Sequence, residues 1–195
     1  MIGGVNMSEM AYSLSPDRED YEIINGKVYM MARPGVNHAR IQSNIHGVFK
    51  NYLRGKRCES FEEVDVFLDE DNVVPDVIIV CNPEIIEDKG IYGVPDLVVE
   101  ILSPSTGQRD KLDKRELYEK FGVKEYWIVD PFNKSVEVYR LKNGSLKLEG
   151  FYMIYPDYEW KSLTEEQKAA VCREIKVSIY DDFYVKLDDI FEDVK

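Results

Sequence analysis

No apolar run in this sequence approaches the roughly 18 residues a membrane-spanning helix needs. The first residues, MIGGVNMSEM, lack the basic start and apolar stretch of a signal peptide. Neither a bilayer span nor a secretory route is expected. Cysteine is scarce: Cys58, Cys81 and Cys172 lie far apart, with no CxxC spacing. That argues against a disulfide framework or a zinc centre. It fits a reducing, cytoplasmic setting with the thiols as buried small hydrophobes. Histidine is limited to His38 and His46. Positive charge is in deficit, with 25 Lys and Arg against 37 Asp and Glu and a formal net charge of −12. Such a surface repels phosphate backbones unless positive charge is local or metal ions bridge the gap. It counts against a tight, non-specific nucleic-acid binder.

The chain has 195 residues, of which 44% are hydrophobic and 32% charged. These values suit one globular domain over residues 1–195, with a core at about 20–150 and a C-terminal extension at about 156–195. There is no internal repeat or low-complexity tract, and residues 1–15 read as loose. Asn25-Gly26 between apolar runs predicts a hairpin over Tyr21 to Met31. Ile41, Ile45, Val48, Phe49 and Tyr52 share one helical face, with Asn37 as N-cap and Gly55 as terminator. Val64 to Leu68 alternates as a strand. Val73 to Val80 (VVPDVIIV) and Pro95 to Leu102 (PDLVVEIL) are apolar on both faces, as central strands are. A loop with Ser103, Pro104, Ser105 and Gly107 leads to a helix over Leu112 to Phe121, closed by Gly122. The strand EYWIVD follows from Glu125 to Asp130. A hairpin turns at Asn143-Gly144. A helix from Ser162 to Arg173 has Ser162 and Glu165 at capping-box spacing. Short strands are expected at Lys176 to Tyr180 and Phe183 to Leu187. The order implies a mixed α/β fold, its sheet covered by helices on both sides.

Two acids interrupt the two most apolar strands. Alternation puts Asp76 with Ile78 and Val80, and Glu100 with Val98 and Leu102. A carboxylate there is costly unless it is paired or metal-bound. Two close together repel, and a divalent cation removes the conflict. The plainer account of each is an exposed strand end or an ion pair with a lysine. Lys114 shares a helical stripe with Leu117, Tyr118 and Phe121, so its ammonium either snorkels to solvent or points at the carboxylates. His38 lies three residues before Ile41 on an apolar face, as a satisfied core histidine or as a site residue. His46 is off the stripe and is given no role. Glu22 is either a solvated strand charge or a third acid of the site. Asp96 reads as a turn cap, and Glu62-Glu63, Asp69 to Asp71 and Asp188-Asp189 as solvated surface.

From about Tyr21 to Phe191 the sequence resembles the putative restriction endonuclease family of the PD-(D/E)xK nuclease superfamily. The resemblance rests on YEIINGKV followed by His38, on VVPDVIIV, on PDLVVEILSPST followed by Asp110, Lys114 and Tyr118, and on GVKEYWIVDP. It implies a restriction-endonuclease-like mixed sheet flanked by helices: helix, three-stranded antiparallel meander, helix, strand. An N-terminal hairpin and C-terminal strand and helix additions would surround that core. It also implies a metal-dependent DNA endonuclease in which Asp76, Glu100 and the carbonyl of Ile101 hold Mg²⁺, with Mn²⁺ able to substitute. The superfamily's lysine, two residues after the Glu, is here Leu102, and Lys114 on the following helix matches a lysine of the family pattern. His38 and Glu22 match family positions too. A double-strand cut needs two sites, so a homodimer is expected, with the segment after Tyr155 as its contact. The missing motif lysine and the net charge keep open a catalytically inactive binding or structural module on the same fold. An RNA substrate is less favoured, since no aromatic platform beside basic residues is evident.

Overall fold

The computed structural model describes residues 21–31, 33–104 and 107–195, apart from the Gln108 side chain. The loose segment expected over residues 1–15, and Ser105 of the expected loop, lie outside the described residues. Strands β1 (Tyr21–Ile24) and β2 (Lys27–Met30) form the predicted hairpin. Asn25 and Gly26 both take left-handed φ, 51° and 72°, as a two-residue hairpin turn requires. Helix α1 (Val36–Leu53) buries Ile41, Ile45, Phe49 and Leu53. Four such side chains contribute roughly 6–12 kcal/mol, well above the roughly 1 kcal/mol that Gly47 costs inside the helix. Its N-cap is Gly35, with no side-chain cap. The expected cap, Asn37, instead donates to the Lys195 carbonyl at 2.6 Å, because α1 starts one residue before it.

Strand β3 (Glu59–Glu62) was not expected, since ESFE is too polar to read as a strand. The strand predicted over Val64 to Leu68 shortens to β4 (Val66–Leu68). The run Val73 to Val80, read as one strand, divides into β5 (Asp71–Val73) and β6 (Val77–Val80), which belong to different sheets. Pro75 removes a ladder donor between them. A 3-10 turn at Pro83–Ile85 precedes β7 (Ile86–Glu87) and β8 (Gly90–Tyr92), and β9 spans Leu97–Ile101. The next helix begins earlier than predicted, in three pieces: α2 (Gly107–Arg109), a π-turn at Asp110–Lys114, and α3 (Arg115–Phe121). Gly122, at φ 84°, ends it, and the Gly122 and Val123 amides donate back to the Tyr118 carbonyl.

Strands β10 (Glu125–Asp130), β11 (Ser135–Lys142) and β12 (Ser145–Met153) follow as read. The helix predicted from Ser162 to Arg173 is instead α4 (Asp157–Ser162) and α5 (Glu165–Ala170). The capping box belongs to Thr164 and Gln167, where both reciprocal hydrogen bonds form, and not to Ser162 and Glu165. Strands β13 (Glu174–Lys176) and β14 (Tyr184–Lys186) pair before the short α6 (Leu187–Ile190).

Among the described residues the main sheet runs β12-β11-β10-β9-β6-β3. Within it β3, β6 and β9 form an antiparallel meander, and β10 returns parallel to β9 through the helix of residues 107–121. The second sheet runs β2-β1-β5-β4-β8-β7. One face of the main sheet (Val77, Ile79, Val99, Trp127) is covered by α1 and by Ile175, Phe183, Leu187 and Ile190. Phe49 meets Trp127 and Phe183 edge-on, both at 5.7 Å. The other face (Ile78, Val98, Ile128) is covered by Leu117, Tyr118 and the second sheet.

Two further expectations are corrected. Cys58 and Cys81 form a disulfide, 23 residues apart. The register Glu59 to Val80 brings them opposite each other just beyond β3 and β6, a closeness that linear spacing does not display. Asp71, read as solvated, is buried and faces Lys120 at 3.9 Å. Among the described residues no helix is long and apolar enough to cross a membrane.

Candidate active site

The site forms where β6 begins and β9 ends. Val77 pairs with Val99 in antiparallel register, so Asp76 and Glu100 face each other one step further on. The Ile101 amide donates to Asp76 Oδ2 at 2.6 Å, which aims the second oxygen away from the strand. Glu100 shares its face with Val98, Tyr126 and Ile128 and is almost wholly buried. The second sheet adds Glu22 from β1, also buried, which accepts from the Val74 amide at 3.0 Å.

Lys114 reaches this cluster from the end of the π-turn. Its side chain is 4% exposed, so it does not snorkel to solvent. Its Nζ lies 2.7 Å from Glu22 Oε1, 2.9 Å from Glu100 Oε1 and 3.9 Å from Asp110 Oδ1. The Tyr118 hydroxyl donates to Glu100 Oε1 at 2.8 Å. Burial opposes the ammonium's charge, but Glu100, Glu22 and Asp110 outweigh it and hold the Lys114 pKa above its ordinary value. Burial also pushes the Glu100 carboxyl well up. Lys114 pulls it back, while Asp110, Asp76 and Glu22 push it further. One ammonium cannot neutralise three carboxylates: that imbalance raises Lys114, and it adds to the burial that raises Glu100.

His38 enters from the first turn of α1, with Nε2 at 3.3 Å from Asp76 Oδ1. Burial would lower its pKa, but the Asp76 hydrogen bond and charge, the Ile101 carbonyl and Glu63 prevail, and it is raised. The ring therefore lies against both Asp76 and Ile101. Arg109 stacks over the Tyr29 ring at 5.0 Å and stands 3.7 Å from Glu22 Oε2. A cavity of about 210 Å³ joins Glu22, His38, Asp76, Glu100, Ile101 and Lys114 with Arg33, Arg109 and Asp110.

The five acids and bases singled out from sequence thus converge, with the Ile101 backbone beside them. Leu102 is not among them; it packs into the apolar core on Glu100's face. His46 lies elsewhere, at 3.1 Å from Ser60 Oγ and 3.8 Å from Glu62. Asp96 accepts from the Cys81 amide and from Lys124. Arg109 and Tyr126 were not foreseen as neighbours of the site; Asp110 was seen only as part of a motif, and Tyr118 as part of that motif and of the Lys114 stripe. The i,i+4 spacing of Asp110 and Lys114, and the alternation of β10, could have pointed to Asp110 and Tyr126.

Residues 8–167 match the Uma2 family, described as putative restriction endonuclease. The chain belongs to the Uma2 family. An uncharacterized protein of Synechocystis sp. is 30% identical to this Uma2 chain over 126 residues, 63% of the chain and 66% of the relative. The match thus spans just under two thirds of that relative's length. A crystal structure of a putative nuclease belonging to DUF820 from Anabaena variabilis superposes with a TM-score of 0.72 at 22% identity. It covers 96% of this chain and 98% of its own, and at that identity the likeness speaks for the fold.

Proposed function

We propose that this Uma2 chain is a Mg²⁺-dependent DNA endonuclease whose centre is Asp76, Glu100 and Lys114. The observation that carries the reading is the charge balance of the cavity. Glu22, Glu63, Asp76, Glu100 and Asp110 supply five carboxylates, opposed by the three fixed cations of Arg33, Arg109 and Lys114. The deficit of two positive charges is that of one divalent ion. The donors suit a hard cation: carboxylate oxygens and the Ile101 carbonyl, without thiolate. Among the described residues no three His, Cys, Asp or Glu side chains converge at metal-ligand spacing. The proposed Mg²⁺ would keep several waters and take one or two carboxylates plus substrate phosphate.

Asp76, Glu100 and the Ile101 carbonyl would hold the ion. Bound there, it supplies Lewis acidity toward the phosphate and a water of lowered pKa. Lys114 orients that water or stabilises charge that builds on the phosphorus oxygens. Glu22 and Asp110 hold the ammonium at Glu100 in place of the lysine that Leu102 displaces. His38 orients Asp76, and when protonated it offsets that carboxylate before a cation arrives. We propose a cytoplasmic homodimer, with the segment after Tyr155 as its contact; the Cys58–Cys81 disulfide takes cysteine usage away as support for that setting. A monomer by light scattering at micromolar concentration, with activity retained, would remove the dimer.

The test is cleavage of plasmid and single-stranded DNA with Mg²⁺ or Mn²⁺, comparing wild type with Asp76→Ala. Metal-dependent cutting lost in the variant supports the reading. The second reading, a nuclease fold kept as a binding module, is favoured by Leu102 at the motif position. It predicts Mn²⁺ binding with no cleavage of any nucleic acid.

A further inference from the structure

A π-turn is rare and tends to lie at functional sites. The one at Asp110–Lys114 contains neither glycine nor proline (DKLDK), so no local breaker accounts for it. Its first and last residues are the acid and the lysine that both face the carboxylate cluster. Residues four apart share one helix face, so Asp110 and Lys114 both point at the sheet.

A strand residue reaches the turn. Tyr126, from β10, is fully buried, and its hydroxyl donates to the Asp110 carbonyl at 2.9 Å. The carbonyl's second lone pair can take this hydroxyl beside any backbone bond, and without the contact a buried hydroxyl would be left with no acceptor, which is costly. Tyr118 lies one helical turn beyond Lys114 and packs its ring 5.2 Å from that of Tyr126. Its hydroxyl donates to Glu100. Burial and the nearby Glu100 charge keep both phenols well above their ordinary pKa, so both remain donors.

We propose that Tyr126 is a positioning residue of the carboxylate–lysine centre: its hydroxyl holds the π-turn against the sheet through the Asp110 carbonyl and so sets where Lys114 meets Glu100. Tyr126 contacts the backbone and not the reacting groups, and its role in turnover rests on the nuclease reading above.

The experiment uses Tyr126→Phe, which removes one oxygen and keeps the ring packing. Amide hydrogen exchange is followed across residues 110–121 and 125–130, beside a thermal melt and cleavage kinetics. The expected result is exchange accelerated about fivefold at the π-turn amides, the equivalent of one net hydrogen bond. Exchange in β10 and at the end of α3 stays as in wild type. In cleavage, kcat falls about tenfold with KM unchanged, a split that general loosening of the fold would not give. Tyr126→Leu, which also removes the ring, lowers the melting temperature further, and this separates packing from the hydroxyl. Unchanged π-turn exchange in Tyr126→Phe overturns the proposal, as does unchanged kcat in an active enzyme. If the wild type cuts no DNA, the nuclease reading fails by itself, and the exchange measurement still decides whether Tyr126 holds the turn.

Discussion

Replacing Lys114 by Met tests the centre most directly, because it removes a charge and keeps the stem. The ammonium sits 2.7 Å from Glu22 and 2.9 Å from Glu100, with its side chain 4% exposed. At an effective dielectric of about 20, each of these pairs is worth roughly 6 kcal/mol in gross attraction. Desolvation offsets much of that, and deleting one member of a buried pair typically costs about 3–5 kcal/mol. For a chain of this size that corresponds to a fall in melting temperature of roughly 10 °C. The pH dependence adds a second signature. The raised Lys114 pKa means its stabilisation is complete below the unfolded value of 10.5 and is lost only as pH climbs through the higher folded value. Across pH 5 to 9 the wild-type contribution is therefore flat. In the variant Glu100 has lost its ammonium, and its carboxyl, already raised by burial, rises further. A raised carboxyl favours the fold at low pH, and that contribution is lost as pH rises through the folded value. The deficit should be smallest near pH 5 and grow toward pH 9. Melts by circular dichroism across that range give both quantities. Cleavage should vanish with Mn²⁺ affinity little changed, and Leu102→Lys added to Lys114→Met should restore part of it. A shift under about 2 °C that ignores pH, or full cleavage by Lys114→Met, would refute the reasoning.

Asp76→Asn and Glu100→Gln should each abolish tight Mn²⁺ binding while leaving the melting temperature unchanged or higher, since repulsion among buried acids is relieved. Unaltered calorimetric titrations in both would sink the metal assignment. Reducing the Cys58–Cys81 bond, or replacing both cysteines by Ala, should destabilise the fold by roughly 3 kcal/mol, the chain-entropy value for a loop of this size. The same melt with and without reductant reads it, and an identical midpoint would count against the bond.

The legible parts of the sequence were those with a local signature. Asn25-Gly26 located the first hairpin, EYWIVD gave β10 to the residue, and Glu100 stood out as an acid inside an apolar strand. What escaped depended on distant partners. ESFE became β3 because its backbone pairs with β6, not because its side chains favour a strand. VVPDVIIV looked continuous, yet its two ends serve different sheets, a division only Pro75 hints at. Cys58 and Cys81 meet through register. At the site, Lys114 was found from its helical stripe, but Arg109 was not, because it precedes the predicted helix start at Leu112 and is helical only in the structure. Glu22 stayed ambiguous because its partner is 92 residues away on another layer.

Glu125 has a bearing on how the protein is made. This fully buried acid accepts from the Trp127 indole and from the Ser178 amide, both at 2.7 Å. It fastens the C-terminal strands to the middle of the main sheet, where Ile175, Phe183 and Ile190 complete the layer beneath α1. During synthesis, segments emerge from the N-terminal end first. A nascent chain that has released everything through β12 still exposes the part of that apolar face which α1 does not cover, and α1, which carries His38, lacks its contact with α6. Of the centre's residues it is then His38, carried by α1, whose placement leans on arrival of the last strands, while Glu22, Glu100 and Lys114 are held from the other face of the sheet.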